Sequence, residues 1–261
     1  MSKPKHADRP VLLSALIIAR DEEQDLPLCL LSLREAGIFD EIVVLVDEAT
    51  ADRTESLARE AGCLTARRKF DDYARQRQAA LELCSGDWVL WIDADETLSP
   101  RLARAIKEAV DKPRAEAYAV RFSVRFMGRL LRFGGLGSEA HVRLFRRAAA
   151  RFTGGLLHEG LLISGRVAGP LPGRIEHLPY RDLSEYLRKL DRYTTLSARM
   201  KRRAGGRFHW WHHFILPCDL LRRVVFRLGF LDGFPGLAWA SLSAFHHWLK
   251  YAKLKEMEES R

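Results

Sequence analysis

The chain has 261 residues, 47% hydrophobic and 30% charged, which excludes wholesale disorder and leaves room for one large domain with an appendage. Its net charge of +9, from 43 Lys+Arg against 34 Asp+Glu, points to an anionic partner such as nucleic acid, a membrane surface or a phosphorylated substrate. The four cysteines, Cys29, Cys63, Cys84 and Cys218, have no CxxC spacing and read as reduced core residues rather than a disulfide frame or a zinc site.

In chain order, "LLSALIIA" (12–19) and "EIVVLV" (41–46) are short apolar runs of the kind that form strands buried on both faces. The run from Val11 passes straight into "RDEEQD" without a cleavage site, so it reads as a first core strand and not a signal peptide. Between the two runs "DLPLCLLSLREAG" predicts a helix with Pro27 in its first turn and Gly37 just past its end. "ADRTESLAREAG" repeats the design, with Asp52 as cap and Gly62 as stop. "CLTARR" supplies a third strand, "DDYARQRQAALELCSG" a third helix and "DWVLWID" a fourth strand. "SPRLARAIKEAV" opens a further helix with Ser99 at the cap and Pro100 at its first position.

Strand alternating with helix predicts an α/β fold with a mostly parallel sheet, and such sheets bind ligands beyond the carboxyl ends of their strands. Asp47 ends the second strand and Asp93 the fourth, so both point into that crevice. Asp93 and Asp95 in "WVLWIDADE" form a D-x-D of a kind that suits a hard divalent cation. On spacing alone a solvated capping cluster fits as well; the five apolar residues before it favour a ligand site. In a continuing strand the two acids share a face, whereas a turn after Asp93 lets one hold metal and the other a ligand hydroxyl.

From residue 117 the pattern changes. "YAVRFSVRF" and "HVRLFRR" alternate apolar and basic residues, the period of half-exposed strands. Helical segments follow at 182–203, roughly 210–229 and roughly 235–258. The positive excess belongs to this half: Arg121 to Arg151 holds eight Arg and one acid, and Ala198 to Phe230 eight Lys or Arg and one acid. The uncharged run 233–245 is only 13 residues long, too short to span a bilayer. The stretch "RFHWWHHFILPCDLLRRVVFRLGF" interleaves aromatics with arginines, which suits either an anionic membrane surface or a helical pair packed on the sheet.

"ALIIARDEEQDLPLCLLSL", "EIVVLVDEATADRT", "WVLWIDADETLSPRL", "RLFRRAAARFTGGLLHEGL" and "GFLDGFPGL…FHHWLKYAKL" together resemble the family 2 glycosyltransferases of GT-A fold, in the bacterial lipopolysaccharide-core β-1,4-glucosyltransferase branch. The resemblance implies a GT-A domain over 1–180, with a nucleotide-sugar half at 10–110 and an acceptor half at 111–180. A C-terminal helical membrane-associating or acceptor region would occupy 181–261. It implies that Arg20, Glu22 and Arg77 lie against the nucleotide, that Asp47 meets the uracil and Asp93 the ribose, and that Asp95, with Asp93, holds Mg²⁺ or Mn²⁺. Glu159 would be the catalytic base, with His158 orienting it or touching the acceptor, and Arg143 and Arg146 would contact the acceptor or its phosphates. The usual Asn of the first motif is Asp21 here.

The activity implied is inverting, metal-dependent transfer of a sugar, glucose foremost, from a UDP-sugar to a lipid-linked saccharide such as the lipopolysaccharide inner core. It would take place at the cytoplasmic face of the inner membrane, peripherally on its anionic surface. A transferase acting on polyprenyl phosphate or a peptide would share the sheet half. A basic nucleic-acid-binding protein is the reading from a different class, but crevice acids repel phosphates unless a metal intervenes, so no nucleic-acid partner is expected.

Overall fold

Each apolar run of the first hundred residues becomes a strand of one sheet in the computed structural model, which describes residues 12–136, 140–154, 160–177, 180 and 182–259. The chain divides into two compact units, 12–122 with 140–177 and 123–136 with 180 and 182–259.

In the first unit the elements run β1 (Leu13–Ala19), α1 (Leu26–Ala36), β2 (Glu41–Asp47), α2 (Thr54–Glu60), β3 (Leu64–Arg68), α3 (Tyr73–Leu83) and β4 (Trp88–Trp91). There follow β5 (Glu96–Leu98), α4 (Pro100–Asp111), β6 (Ala117–Phe126), whose end enters the second unit, and β7 (Arg129–Leu131), which belongs to that unit. Then come β8 (Ala140–Arg146), β9 (Ala150–Thr153), β10 (Gly160–Ile163), β11 (Val167–Ala168) and β12 (Ile175–His177).

Strand order is β3-β2-β1-β4-β8-β6. The first four strands are parallel, with Ile17 opposite Val44 and Leu16 opposite Trp91. β8 and β6 continue the sheet antiparallel, β5 pairs antiparallel with β12, and β9 with β10 forms a separate hairpin. The parallel half is therefore where the alternating pattern lay, and the antiparallel strands are where the period-two basic runs lay.

Both faces of the sheet are covered. Leu13, Ala15, Ile17, Val44, Leu90 and Ile92 pack under α1 and α4, against Leu26, Leu30, Leu102 and Ile106. Leu16, Val43, Leu45 and Val89 meet α3 through Ala74, Ala80 and Leu81 on the other side. Alternate residues of β1 thus bury on opposite faces, which is why the run reads as continuously apolar.

The helix signals resolve as expected at α1, where Gly37 takes a left-handed φ of 61°, and at α4, where the Ser99 side chain accepts the Leu102 N–H. At α2 the cap position is Arg53 rather than Asp52. Asp52 sits one residue earlier and serves both sides of the loop, its carboxylate accepting the N–H groups of Thr54 and Glu23. All four cysteines are free; Cys29 and Cys84 are buried and Cys63 partly so, but Cys218 is exposed and is not a core residue.

In the second unit the end of β6 makes a hairpin with β7, Val124 opposite Leu131. The helices are α5 (Leu183–Arg203), α6 (Ile215–Leu221) and α7 (Gly233–Glu259). The segment expected as one helix over 210–229 is broken: 3-10 turns at Trp210–Phe214 and Gly229–Asp232 flank α6 and a π-turn at Arg222–Phe226. The core is Val124, Phe126, Leu131, Tyr186 and Leu190, with Trp239 and Phe245 of α7 packed against it.

The entry to β4 is held from β2. Glu41 accepts the hydroxyl of Ser14 and the N–H groups of Ser85 and Gly86, at 2.5, 2.5 and 3.2 Å. Only glycine fits at 86, because a Cβ there would lie 2.8 Å from the Ser14 backbone nitrogen. Burial works to raise the Glu41 pKa, but these hydrogen bonds outweigh it and hold the carboxyl below its ordinary value. The stability this contributes is therefore present above the unfolded-state pKa and is lost as pH falls through the depressed folded value. Glu41→Gln is expected to cost about 1–3 kcal/mol at neutral pH, with the gap to wild type closing below about pH 4, by urea unfolding across that range.

Candidate active site

β1, β2 and β4 are neighbours, so the residues just past their carboxyl ends face one crevice. After β1, Asp21 adopts a φ of 54°, a left-handed conformation that Asn and Asp tolerate better than other non-glycine residues. Its carboxylate accepts the Ala51 N–H at 2.9 Å, which ties the β1 loop to the β2 loop. Arg20 beside it reaches Asp47 at the tip of β2, 3.2 Å between Nη1 and Oδ2. Asp47 is 3% exposed and its other oxygen accepts the Ala49 N–H. Glu22 is half-buried in the same loop, and its N–H donates to the Thr54 hydroxyl.

At the end of β4 the chain turns, the Glu96 N–H donating to the Asp93 carbonyl at 3.1 Å. Of the two arrangements open to the D-x-D, the structure takes the turn, and the two acids face different partners. Asp93 accepts the Trp91 indole N–H at 3.0 Å on Oδ1 and Arg143 Nη2 at 3.1 Å on Oδ2. Arg143 also donates to Glu96 at 2.9 Å, and Glu96 in turn accepts the Asp93 N–H at 2.8 Å. Leu144 of β8 lies opposite Leu90 of β4, which brings Arg143 alongside Trp91. Its guanidinium carbon is 4.0 Å from the Trp91 ring centre, and that of Arg77, from α3, is 4.3 Å from it. Arg77 also stands 3.8 Å from Asp93, so it is part of the cluster and not an exposed helix charge.

Asp95 faces the other way, 2.9 Å from Nε2 of His177. The antiparallel pairing of β12 with β5 sets His177 opposite Glu96 and so beside Asp95.

The charges divide unequally. Burial works to raise both Asp93, which is half-buried, and Glu96, which is fully buried. In Asp93 the guanidiniums of Arg143 and Arg77 prevail and hold it below the ordinary range. In Glu96 burial, helped by the adjacent Asp93 charge, prevails over Arg143 and pushes it up to about 7. Burial would lower His177, but its bond to Asp95 and the surrounding carboxylates raise it above its ordinary value. The site therefore keeps Asp93 ionised as an acceptor and leaves Glu96 as the member that takes a proton.

A divalent cation fits one part of this arrangement. Both oxygens of Asp93 are engaged by protein donors, so Asp93 and Asp95 do not stand together as a two-carboxylate metal site. Asp95 and His177 are engaged with each other at 2.9 Å, so a cation held by this pair would take the place of the proton between them, with water and phosphate oxygens filling the rest of its shell. Among the described residues no group of three or more His, Cys, Asp or Glu could hold a metal ion.

Of the residues expected at the site, Arg20 pairs with Asp47 at the tip of β2 and Arg77 with Asp93 at the end of β4, while Asp95 turns to His177. Arg143 arrives too, but it is 7% exposed and committed to Asp93 and Glu96 instead of facing an acceptor. Arg146 does not join them; it lies over Trp88, 4.9 Å from its ring, at the opposite end of β4. His158 and Glu159 lie outside the described residues, in the sequence between β9 and β10. Trp91, Glu96 and His177 were not singled out from sequence. The first two stand in the run that carries the D-x-D, whereas nothing in "GRIEHLPY" announces that His177 returns to Asp95 across 82 residues.

Residues 14–159 match the model of glycosyl transferase family 2. The chain belongs to that family. It is similar to the lipopolysaccharide core biosynthesis glycosyltransferase LpsC of Rhizobium meliloti (strain 1021), 28% identical over 258 residues that cover 92% of this chain and 93% of that one. It is also similar to the uncharacterized glycosyltransferase RT0209 of Rickettsia typhi (strain ATCC VR-144 / Wilmington), 26% identical over 262 residues, covering 94% and 87%. Among solved structures it is similar to glucosyl-3-phosphoglycerate synthase from Mycobacterium tuberculosis in complex with Mn²⁺, uridine-diphosphate and glucosyl-3-phosphoglycerate, at 17% identity and a TM-score of 0.48, covering 76% of this chain and 81% of that one. The fold of this family 2 glycosyltransferase is the GT-A α/β fold, a parallel sheet half with flanking helices followed by a C-terminal helical segment.

Removing Arg143 would leave the buried Glu96 and the half-buried Asp93 without their shared donor. Arg143→Met is expected to lower stability by about 3–5 kcal/mol in urea unfolding, well beyond Arg143→Lys, which keeps the charge. A loss under about 1 kcal/mol would mean that Arg143 does not hold the turn.

Proposed function

We propose that this glycosyltransferase moves a sugar, glucose foremost, from a UDP-sugar to a lipid-linked saccharide of the lipopolysaccharide inner core, with inversion at the anomeric carbon. The observation that carries the reading is that the ends of β2 and β4 each carry an acid paired with an arginine, Asp47 with Arg20 and Asp93 with Arg77, with Asp95 two residues further on beside His177. A nucleoside diphosphate offers what that set needs: donors for Asp47 and Asp93, and negative charge for the arginines. The acceptor class is supported by likeness to LpsC, named for lipopolysaccharide core biosynthesis, along almost the whole length of both chains. It is also supported by the arginine excess after residue 120, which suits a phosphorylated saccharide.

In the reaction Asp47 would accept from the uracil ring and Asp93 from a ribose hydroxyl. Trp91 and Arg143 fix the Asp93 carboxylate in place, so no reorganisation is needed when the nucleotide enters. Arg20 and Arg77 would balance the charge that builds on the departing diphosphate oxygen. Asp95 and His177 would hold Mg²⁺ or Mn²⁺, which when bound would supply further positive charge to the diphosphate. Glu159 would take the proton from the attacking hydroxyl, with His158 orienting it, and a single in-line attack from that side inverts the anomeric centre. The setting is the cytoplasmic face of the inner membrane, where the donor is available; among the described residues no helix is long and apolar enough to cross a membrane.

Calorimetric titration of UDP with and without Mn²⁺ tests the donor site. Wild type is expected to bind only with metal, and Asp95→Ala and His177→Ala to lose that dependence together with most of the affinity. Unchanged, metal-dependent binding in both variants would take the metal away from this pair, and no binding of UDP at all would overturn the donor. Glu159→Gln is expected to slow transfer by about 10²–10⁴-fold while leaving UDP binding intact.

A further inference from the structure

The two acids at the strand tips are held in different ways. Asp93, past the end of β4, has a directed donor on each oxygen, the Trp91 indole on Oδ1 and Arg143 on Oδ2. Asp47, at the end of β2, has the Ala49 N–H on Oδ1. Its Oδ2 is withdrawn from water, and no donor among the described residues meets it with hydrogen-bond geometry. A charge lies over it instead: Nη1 of Arg20 stands 3.2 Å away, as an ion pair without the alignment of a hydrogen bond. A buried carboxylate oxygen with no directed donor calls for an explanation, and at a strand tip facing the crevice a ligand N–H supplies one.

Arg20 is not held as a permanent partner of that oxygen. Arg143 shows what such a partner looks like in this protein: it is 7% exposed, lies against the Trp91 and Phe122 rings, and donates to two acids. The Arg20 side chain is 53% exposed and rests on ion pairs alone, to Asp47 and, through Nε at 3.6 Å, to Asp21. Ion pairs so exposed to water are weak and easily exchanged.

The frame around Arg20 is fixed by contrast. Asp21 accepts the Ala51 N–H and Glu23 the Arg53 N–H, while Asp52 accepts the Glu23 N–H and the Thr54 hydroxyl accepts the Glu22 N–H. The loops after β1 and β2 are thus tied to each other in both directions. Within that frame the long, half-exposed Arg20 side chain is the part that can swing.

We propose that Arg20 is a latch over the Oδ2 oxygen of Asp47, opened by a nucleobase N–H and then turned to the diphosphate, so that base recognition is conditional on the phosphates. The N–H takes the place of the guanidinium at Oδ2. The guanidinium keeps Asp21 beside it and turns its freed edge to the anionic oxygens. A nucleoside without phosphate must break the same ion pair and offers the released arginine nothing in return. Arg20 is on this account a specificity-determining residue, which sets the site against nucleosides and free bases and in favour of the nucleoside diphosphate. The inference deepens the proposed function and rests on it in one respect, that Asp47 accepts from the base.

The test compares uridine with UDP by calorimetric titration in the presence of Mn²⁺ over a range of salt concentrations. For wild type, UDP binding is expected to weaken as salt rises, whereas uridine binding, which has to break the Arg20–Asp47 pair, is expected to strengthen. Arg20→Gln should bind uridine about two- to fivefold more tightly, the range of an exposed ion pair, and UDP about tenfold or more less tightly. Its uridine affinity should no longer respond to salt. A fixed structural pair would move both ligands the same way, so weakening of uridine and UDP alike in Arg20→Gln would overturn the latch. So would a wild-type uridine affinity that stays level or falls with salt, a result that needs no substitution and stands even if the variant fails to fold. Either result with normal UDP binding by wild type removes the latch alone, whereas wild type that binds no UDP removes the donor and the latch together.

Discussion

The pairing of one buried guanidinium with a buried and a half-buried carboxyl shapes the crevice. Nη2 of Arg143 donates to one oxygen of Asp93 and one of Glu96 while the guanidinium lies over the Trp91 indole, nearly withdrawn from water. Arg77 adds a second positive charge beside Asp93 alone, so Asp93 is held below the ordinary carboxylate range while burial pushes Glu96 up to about 7. Glu96 also reaches back to the Asp93 N–H, which closes the turn that sends Asp95 to the far side, toward His177. Pairing offsets part of the cost of burying these charges.

The antiparallel strands matter to this site as much as the parallel ones. β1, β2 and β4 supply the acids at their tips, but β8 supplies Arg143 and β12 supplies His177. A sheet made only of βα repeats would present the carboxylates without the groups that set their direction. The change of pattern after residue 117 is thus the place where the fold stops building a platform and begins to furnish it.

The parallel half was legible because local signals were strong. Leu13–Ala19 and Glu41–Asp47 are apolar on both faces, Pro27 and Pro100 sit in first turns, and Gly37 and Ser99 close and open their helices. Asp47, Asp93 and Asp95 could be named because strand tips define a crevice before any contact is known, whereas Arg77, on α3, was named by the family resemblance. The partners of those acids were not legible, for a physical reason. β5 and β12 are three residues each, too short for a period, and their pairing depends on sheet geometry alone. Arg143 sat in an alternating strand where arginine ordinarily faces water, and only the antiparallel register with β4 turns it inward. The helix expected over 210–229 is broken into 3-10, α and π turns because its aromatic and basic residues do not share one apolar stripe; Asp219 is satisfied from the next turn by Arg222 and Arg223.

Asp21 carries a last consequence. Its backbone lies in the left-handed region, one carboxylate oxygen accepts the Ala51 N–H and the other stands 3.6 Å from Nε of Arg20. Asparagine would keep the conformation and the bond to Ala51, through the same oxygen in the same place, but not the charge beside Arg20. Aspartate here therefore shares with Asp47 the task of holding Arg20, and the guanidinium is drawn between two acids from two different loops.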